Sequence, residues 1–227
     1  MKTVIIGGVA GGMSAATRLR RLQEDAEIII FEQGKNVSYA NCGLPYHVGE
    51  IIKNESELLL QTPKSLNERF NLDVRVNSRV TKIDPANKTV TVLNLTDNQS
   101  YEESYDKLVI STGAKPRALP TPGIERAHVL RDVEDATGIK ALVDSGKIKS
   151  AAVLGAGFIG IELAENFIHR GVKTTVVEMS KSILPQFDAE IIEPFQAHLV
   201  ANGIELALGV TATTIHENTI TLSDGRE

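Results

Sequence analysis

Tryptophan is absent from this chain of 227 residues, and aromatic residues make up only 4% of it. Hydrophobic residues still make up 42%, so the cores must be aliphatic, as is usual for buried parallel sheets. No apolar run reaches the roughly 18 residues that a transmembrane helix requires. We therefore expect no membrane partner.

Only one cysteine, Cys42, is present, which excludes a disulfide within the chain. We also expect no secretory leader, because Met1 leads directly into the strand-like run Thr3–Ile6 without a charged region or an apolar region before it. A single unpaired cysteine is most simply explained if the protein resides in a reducing compartment. These absences together predict a cytoplasmic protein.

Charge of one sign is not concentrated enough to indicate a polyanion-binding surface. The formal net charge is −5, which argues against general nucleic-acid binding. A charge of this size needs no explanation beyond keeping a protein in solution. We expect no nucleic-acid partner and predict no metal site. The length suggests one large domain or two ordinary ones.

A strand, a glycine-rich turn and a helix are predicted at the start of the chain. Residues 2–6 form a buried strand, Gly7–Gly12 a tight turn and 13–22 a helix. A second strand, 27–32, closes on Glu32, which stands 20 residues after the last glycine of the turn. A βαβ unit of this length, with an acid there to bind a ribose, is typical of a Rossmann-type half.

This first motif departs from the dinucleotide-binding fingerprint at one position. Gly7 and Gly12 take the first and third glycine positions, whereas Val9 replaces the second. The second glycine normally lets the backbone approach a pyrophosphate. Gly8 or Gly11 would have to compensate here.

The same pattern returns at residues 151–178 and matches the fingerprint fully. Gly155 permits the turn, Gly157 lets the backbone reach a pyrophosphate, and Gly160 lets the helix meet the strand. Glu178, 18 residues after Gly160, is placed to accept hydrogen bonds from a ribose 2′-OH, which favours NADH over NADPH. The alternative is a purely structural glycine turn.

Between the motifs the sequence predicts a helix over 56–70 and then short alternating strands. Asn and Asp punctuate these strands, which is typical of an antiparallel meander. Three prolines within 114–126 indicate a linker. We therefore predict two domains, 1–113 and 114–227. The strands are predicted at 73–76, 80–83, 89–93 and 108–111.

The last part of the chain predicts a helix at 189–202 and strands at 204–208 and 219–222. Asp224 and Gly225 indicate a hairpin turn after the last strand. No returning strand follows this turn. We therefore expect the chain to be part of a longer protein.

The lone thiol stands in the run Ser38-Tyr-Ala-Asn-Cys42-Gly-Leu-Pro-Tyr46-His. A single cysteine is ordinarily a small buried hydrophobe. Here the segment 43–50 can open a helix, whose free N–H groups would favour the thiolate. His47 stands where a C-x₄-C pair would have its second cysteine. The thiol must therefore cycle as a mixed disulfide or as a sulfenic acid.

One face of the first helix carries a hydroxyl and two positive charges. Ser14, Arg18 and Arg21 lie at i, i+4 and i+7, and this spacing places them on a common face. Two arginines there can bind phosphates through forked hydrogen bonds. The alternative is a solvated basic stripe.

These features resemble the single-cysteine branch of the pyridine nucleotide–disulfide oxidoreductases. That branch holds coenzyme A disulfide reductases, persulfide-reducing relatives fused to rhodanese, NADH oxidases and NADH peroxidases. The run Ser38-x-x-Asn41-Cys42-Gly-Leu-Pro-Tyr46 is most similar to the coenzyme A disulfide reductase type, and Ser111–Ala114 resembles the exit from the FAD domain. The resemblance covers essentially the whole chain.

The resemblance implies an α/β fold with two Rossmann-like, three-layer dinucleotide-binding domains. The domain 1–113 would bind FAD and the domain 114–227 would bind NAD(P)H. A returning FAD-domain segment and a dimerisation domain are found in such proteins but not in this sequence. A homodimer is therefore expected for the longer protein.

The resemblance also implies roles for single residues. FAD would be held by Gly7, Gly8, Gly12, Glu32, Thr112 and Gly113. NADH would be held by Gly155, Gly157, Gly160 and Glu178, together with Phe158 and Glu162. Coenzyme A would be held by Ser14, Arg18, Arg21, Ser38 and Asn41.

Two of these roles have ordinary alternatives. Phe158 resembles an aromatic that covers the flavin until nicotinamide displaces it, but a core aromatic at a helix start fits its position as well. Glu162 resembles an acid found near the nicotinamide, and a solvated helix residue is its alternative.

The implied reaction passes electrons from NADH through FAD to Cys42 and on to a small disulfide, with coenzyme A disulfide as the first choice. On the same scaffold, oxygen or peroxide reduction would cycle the thiol through sulfenic acid, and persulfide or polysulfide reduction is a third outcome. A rival from another class is a nucleotide-binding redox sensor without turnover.

Overall fold

The computed structural model describes residues 1–117 and 119–227, and these form two compact units. The first unit comprises Met1–Ala40 and Leu59–Lys115, and the second comprises Asn41–Leu58 and Pro116–Glu227. Ala118, inside the predicted linker 114–126, lies outside the described residues.

Helices and parallel strands alternate along most of the chain. The helices are α1 (Ala10–Leu22), α2 (Leu44–Val48), α3 (Pro63–Phe70), α4 (Val133–Asp144), α5 (Phe158–His169) and α6 (Ala189–Ala201). The strands are β1 (Lys2–Ile6), β2 (Glu27–Phe31), β3 (Asp73–Arg75), β4 (Ser78–Asp84), β5 (Thr89–Asn94), β6 (Ser100–Ser104), β7 (Lys107–Ile110), β8 (Ser150–Leu154), β9 (Lys173–Glu178), β10 (Glu205–Leu208), β11 (Ala212–Ile215) and β12 (Ile220–Leu222). Single 3-10 turns occur at Asn41–Gly43, Glu55–Glu57 and Ile124–Arg126.

The first unit is built on a parallel sheet with the strand order β3-β2-β1-β7. Its strands are apolar on both faces because both faces are covered. Ile5 and Ile30 pack with side chains of α1 and α3 on one face, whereas Val4 and Phe31 pack with Val90 and its neighbours in β5 on the other. The unit therefore has three layers.

The predicted meander contains two strands that belong elsewhere. The runs at 73–76 and 108–111 form β3 and β7, which pair in parallel with β2 and β1. The antiparallel sheet has the order β4-β5-β6, and β6 was not predicted. Local alternation marks a strand but does not identify its partner, which is why these runs were assigned to the wrong sheet.

The predicted helix over 56–70 is also corrected. The helix α3 begins at Pro63, where Thr62 and Ser65 exchange hydrogen bonds in a capping box. The residues before it contain only the 3-10 turn Glu55–Glu57.

The second unit repeats the βαβ pattern in a parallel sheet with the order β10-β9-β8. Helix α5 connects β8 to β9, and α6 connects β9 to β10. The last strand, β12, pairs with the preceding β11 rather than with a strand after Gly225. Both units combine parallel sheets with helices, which confirms the predicted α/β class.

The segment Asn41–Leu58, which carries the thiol, groups with the second unit. A single cut after residue 113 would leave it in the first domain, whereas the structure divides the chain at Lys115 and assigns this segment to the other side. The reason is that α2 packs against α4 and α5. The segment begins and ends beside a β-bridge between Tyr39 and Leu59.

None of the helices in 1–117 and 119–227 combines the length and the hydrophobicity needed to cross a bilayer.

Candidate dinucleotide sites and thiol segment

The first glycine loop, Gly7–Gly12, joins β1 to α1 in a tight turn. Gly7 adopts φ +104°, and its N–H donates to Phe31 O at 2.8 Å. A Cβ on Gly12 would come within 1.8 Å of Gly7 O, so the helix meets the strand only because this position lacks a side chain. These are the roles that the fingerprint gives to its first and third glycines.

Glu32, at the end of β2, closes this loop. Its Oε2 accepts the N–H of Gly8 at 2.7 Å, and its Oε1 accepts the N–H of Gly34 at 2.8 Å. A Cβ on Gly8 would lie 2.9 Å from Val37 and 3.0 Å from Glu32. The amide of Gly8 is therefore already used by the acid.

Of the two glycines that could compensate for Val9, Gly11 is the one that faces open space. Its nearest neighbour would be Ser111 Oγ, 3.6 Å from an added Cβ, and the residue is exposed. Thr112 and Gly113 follow β7 and are exposed, and Thr112 N lies 3.3 Å from the position of a Cβ on Gly7. The end of β7 thus lies against the first loop.

The second loop, Gly155–Gly160, repeats this geometry. Gly155 adopts φ +107°, and its N–H donates to Val177 O at 2.8 Å. A Cβ on Gly160 would lie 2.1 Å from Gly155 O. Gly157 stands at the N-cap of α5, and a Cβ there or on Gly155 would meet no atom within 4 Å.

Glu178, at the end of β9, is the counterpart of Glu32. Its carboxylate accepts the N–H of Ala156 at 2.9 Å and the N–H of Ser180 at 2.8 Å. Burial alone would raise the pKa of Glu178, but the backbone hydrogen bonds outweigh it and lower the pKa below its usual value. The acid is therefore charged at neutral pH, beside the loop it closes.

An exposed aromatic pair flanks the second loop. Phe158, the first residue of α5, is 58% exposed and meets Phe187 edge to face, with ring centroids 6.0 Å apart. Glu162 lies one turn further along α5 and is half-buried. Large apolar side chains left exposed in this way often mark a site that a ligand covers.

Both loops fit a dinucleotide by the same criterion. Each presents the N-terminus of a helix, which favours a diphosphate, and each ends in a carboxylate with lone pairs left for a ribose. The open space at Gly155 and Gly157 leaves room for the phosphates. The residues present therefore suit the cofactors that the sequence predicts.

Cys42 lies in the 3-10 turn before α2, and its side chain is exposed. In helix α2, which belongs to the second unit, the side chains of Leu44, Pro45 and Val48 are buried. His47 is also buried, and its Nδ1 lies 2.9 Å from Ile52 O. An exposed thiol on a firmly packed segment is accessible to a small substrate.

The residues predicted to bind coenzyme A are divided between the two units: four belong to the first unit and one to the second. Ser14, Arg18 and Arg21 are exposed on α1, as their spacing predicts. Ser38 is half-buried beside the first loop, where its N–H donates to Gly8 O at 2.8 Å. Asn41 belongs to the second unit together with the thiol.

Sequence reasoning missed three features of the second unit. Phe187 was not singled out, because a phenylalanine in a loop carries no local signal. Helix α4 was missed although Asp132 and Asp135 form a capping box at its start. The contacts of Arg170 with α2 were missed because a basic residue at a helix end is ordinary.

His, Cys, Asp and Glu side chains form no group of three or more that could hold a metal in the described ranges.

Comparisons with known proteins agree on one family. The family described as pyridine nucleotide-disulphide oxidoreductase matches residues 1–227. A coenzyme A disulfide reductase of Staphylococcus aureus is 35% identical over 227 residues, which are 99% of this chain and 51% of the relative. This chain therefore spans about half the length of the curated relatives it matches.

Two solved structures have nearly the same fold over this chain. Reduced CoADR-RHD of Bacillus anthracis superimposes with a TM-score of 0.95 and 44% identity, covering 99% of this chain and 41% of that one. A NAD-dependent persulfide reductase from A. fulgidus gives a TM-score of 0.93 and 33% identity, covering 99% and 43%.

Proposed function

We propose that this chain, which belongs to the pyridine nucleotide-disulphide oxidoreductase family, carries the nucleotide sites and the thiol of an NADH-dependent disulfide reductase. Electrons from NADH would reach a small disulfide through Cys42. The observation that carries this proposal is the exposed lone thiol in a chain with two glycine loops, each closed by an acid.

The first loop is the proposed FAD site and the second the proposed NADH site. When bound, FAD supplies two-electron transfer between a nicotinamide and a thiol. Gly7, Gly12 and Glu32 would hold it, with Thr112 and Gly113 beside them. Gly155, Gly157, Gly160, Phe158, Glu162 and Glu178 would hold NADH. A charged Glu178 repels a 2′-phosphate, which supports NADH over NADPH.

Cys42 is the proposed nucleophile. Its thiolate attacks one sulfur of the substrate disulfide, so that the S–S bond breaks and a mixed disulfide with Cys42 forms. The other sulfur leaves as a thiolate, which takes a proton from solvent to become the first thiol product. Two electrons from NADH and one proton then split the mixed disulfide, which releases the second thiol and restores the thiolate. The exposed position of Cys42 supports this access.

Coenzyme A disulfide is the proposed substrate. Ser14, Arg18 and Arg21, exposed on one face of α1, would bind its phosphates, with Ser38 and Asn41 nearer the thiol in sequence. The Staphylococcus aureus relative supports this choice. The persulfide reductase likeness supports persulfide reduction as a second candidate. A cytoplasmic location and a homodimeric full-length protein are part of the proposal.

The test is a steady-state comparison of acceptors with the FAD-loaded protein. NADH oxidation is followed with coenzyme A disulfide, a persulfide, peroxide or oxygen as the acceptor. We expect the disulfide to give the largest kcat/KM, and we expect Cys42→Ser to abolish its reduction. Disulfide turnover that survives this substitution contradicts the thiol mechanism.

The full-length protein as purified, without added FAD, separates the enzyme from a redox sensor. A yellow protein that NADH bleaches rapidly supports the enzyme. A colourless full-length protein that binds NADH without turnover supports the sensor, and faster turnover of oxygen or peroxide supports an oxidase or peroxidase.

A further inference from the structure

The segment that carries Cys42 is fixed to the second unit at the end of α2. A Cβ on Gly49 would lie 1.8 Å from Asn166 Oδ1, so the backbone there lies directly against the side chain of α5. Asn166 is 1% exposed, and its Nδ2 donates to Glu162 O at 2.8 Å. Its Oδ1 has no hydrogen-bond partner within the part of the chain that the structure describes.

Arg170, just after α5, holds the same end of α2. Its Nη1 donates to Val48 O at 3.1 Å, and its Nη2 donates to Asp144 Oδ1 at 2.5 Å. Its Nε lies 3.8 Å from a carboxylate oxygen of Glu50. The side chain is only 15% exposed, so these contacts are shielded more than ordinary surface ion pairs are.

A second cation completes this cluster. Lys140 of α4, which is 13% exposed, donates to Asp144 at 2.7 Å and lies 3.9 Å from Glu50. Hydrogen bonds from Lys140 and Arg170 lower the pKa of Asp144. The carboxylate is therefore charged at neutral pH and keeps the guanidinium of Arg170 oriented towards α2.

One helix thus joins the proposed NADH loop to the thiol segment. Helix α5 begins with Phe158 beside the second glycine loop and is followed by Arg170 at its other end. At 1.5 Å per residue its 12 residues span about 18 Å. Val48, whose carbonyl Arg170 binds, is six residues after Cys42.

We propose that Arg170 and Asn166 are positioning residues for Cys42: they fix the end of α2 against α5 and so fix the thiol relative to the second glycine loop. This inference rests on the proposed reduction of a disulfide through Cys42. It assigns a role to the buried amide of Asn166 and to the shielded guanidinium of Arg170, neither of which is part of a glycine loop.

The test compares two reactions of the FAD-loaded, full-length protein. Reduction of coenzyme A disulfide by NADH needs a correctly placed thiol, whereas reduction of ferricyanide by NADH does not need Cys42. We expect Arg170→Gln to lower kcat for the disulfide about ten- to a hundredfold, because small displacements of a reacting group cost that much. Ferricyanide reduction and the KM for NADH should not change.

Three further variants make the result specific. Arg170→Lys should recover part of the disulfide turnover, since a lysine can still donate to Val48 O. Arg126→Gln, which removes an exposed arginine of the same unit paired with Glu125, should leave both reactions unchanged. Asn166→Ala should act like Arg170→Gln, and it replaces that variant if the latter does not fold.

The inference is overturned if Arg170→Gln and Asn166→Ala slow disulfide reduction and ferricyanide reduction equally. It is also overturned if they slow neither reaction. If the wild-type protein reduces no disulfide, the proposed function fails separately, and the rate at which iodoacetamide alkylates Cys42 then decides the inference. The rate is measured by mass spectrometry on the peptide that contains Cys42, so that it reports this thiol alone. A severalfold change in the two variants, but not in Arg126→Gln, supports positioning, and an unchanged rate contradicts it.

Discussion

The loops Gly7–Gly12 and Gly155–Gly160 share one backbone arrangement and differ in their surroundings. In each, the first glycine has φ near +105°, its N–H binds the carbonyl before the acid, and the acid accepts the next N–H. Yet a Cβ on Gly7 would lie 2.1 Å from Ser111 O, whereas one on Gly155 would meet nothing within 4 Å.

The difference comes from the sheets rather than from the loops. In the first unit, β7 lies beside β1 and its end places Ser111 against the loop. In the second unit, the three-stranded sheet has β8 at its edge, so the loop after it stays open. Two nearly identical turns can therefore tolerate very different substitutions.

We expect the largest effect from Gly7→Ala, when its unfolding free energy is compared with that of Gly155→Ala. Both substitutions strain a positive φ, which costs about 1–3 kcal/mol. Only Gly7→Ala also forces a Cβ into Ser111 O, so we expect a loss of unfolding free energy of about 3 kcal/mol or more for it. Urea unfolding of the two variants checks this. Equal losses would show that crowding by β7 contributes nothing.

The second prediction makes the second loop resemble the first. Gly157→Val copies Val9 at the matching position. Because an added Cβ there meets no protein atom within 4 Å, we expect unchanged unfolding free energy but weaker NADH binding, by about 1–3 kcal/mol. Titration of NADH fluorescence measures this. Unchanged affinity would mean that the dinucleotide does not approach Gly157.

The third prediction concerns the acids, with Glu178→Gln and Glu32→Gln each removing a carboxylate that accepts two backbone N–H groups. We expect each to lower the unfolding free energy by about 1–2 kcal/mol at neutral pH. The folded-state pKa of Glu178 is lowered, so its contribution is present above the unfolded value of about 4.3 and is lost as the pH falls through the folded value.

Unfolding curves from neutral to acidic pH check this linkage. The gap between wild type and Glu178→Gln should narrow as the pH falls. Glu217→Gln, on an exposed turn of the same unit, is the matched control and should leave the unfolding free energy unchanged. A gap that stays constant with pH would contradict the role of the charged carboxylate.

The smallest expected effect is a reciprocal exchange, Gly8→Ala and Ala156→Gly. Gly8→Ala brings a Cβ within 3.0 Å of side-chain atoms of Val37 and Glu32 that can shift slightly. Ala156→Gly removes a buried methyl group. We expect each to cost up to about 1 kcal/mol of unfolding free energy. Thermal melts measure both, and a stabilised Gly8→Ala would mean that Val37 moves without cost.

The sequence predicted the loops well because their chemistry is local. A glycine with positive φ, a glycine where helix meets strand, and an acid at the next strand end are all properties of neighbouring residues, so Gly7, Gly160 and Glu178 could be identified one by one. The same holds for β1 and β2, whose apolar runs Val4–Ile6 and Ile28–Phe31 are continuous and have clear ends.

Long-range partners could not be predicted in this way. The run that forms β3 alternates, whereas the run that forms β7, Lys-Leu-Val-Ile, is mostly apolar. Neither pattern identifies a partner strand, and both runs pair in parallel with strands that are far away in the sequence. The strand β6, Ser-Tyr-Glu-Glu-Ser, is too polar to stand out. The docking of α2 depends on Gly49 meeting Asn166, and neither residue shows this in its own surroundings.

The bridge between Tyr39 and Leu59 has a practical consequence for engineering. Because the segment between them starts and finishes at one point on the first unit, it can be exchanged as a cassette without cutting either glycine loop, as is common for insertions whose ends lie close together. A graft from a relative would have to keep the glycine that meets Asn166 and the carbonyl that Arg170 binds. If the proposed function holds, swapping the eighteen residues Asn41–Leu58 offers a way to change which disulfide is accepted.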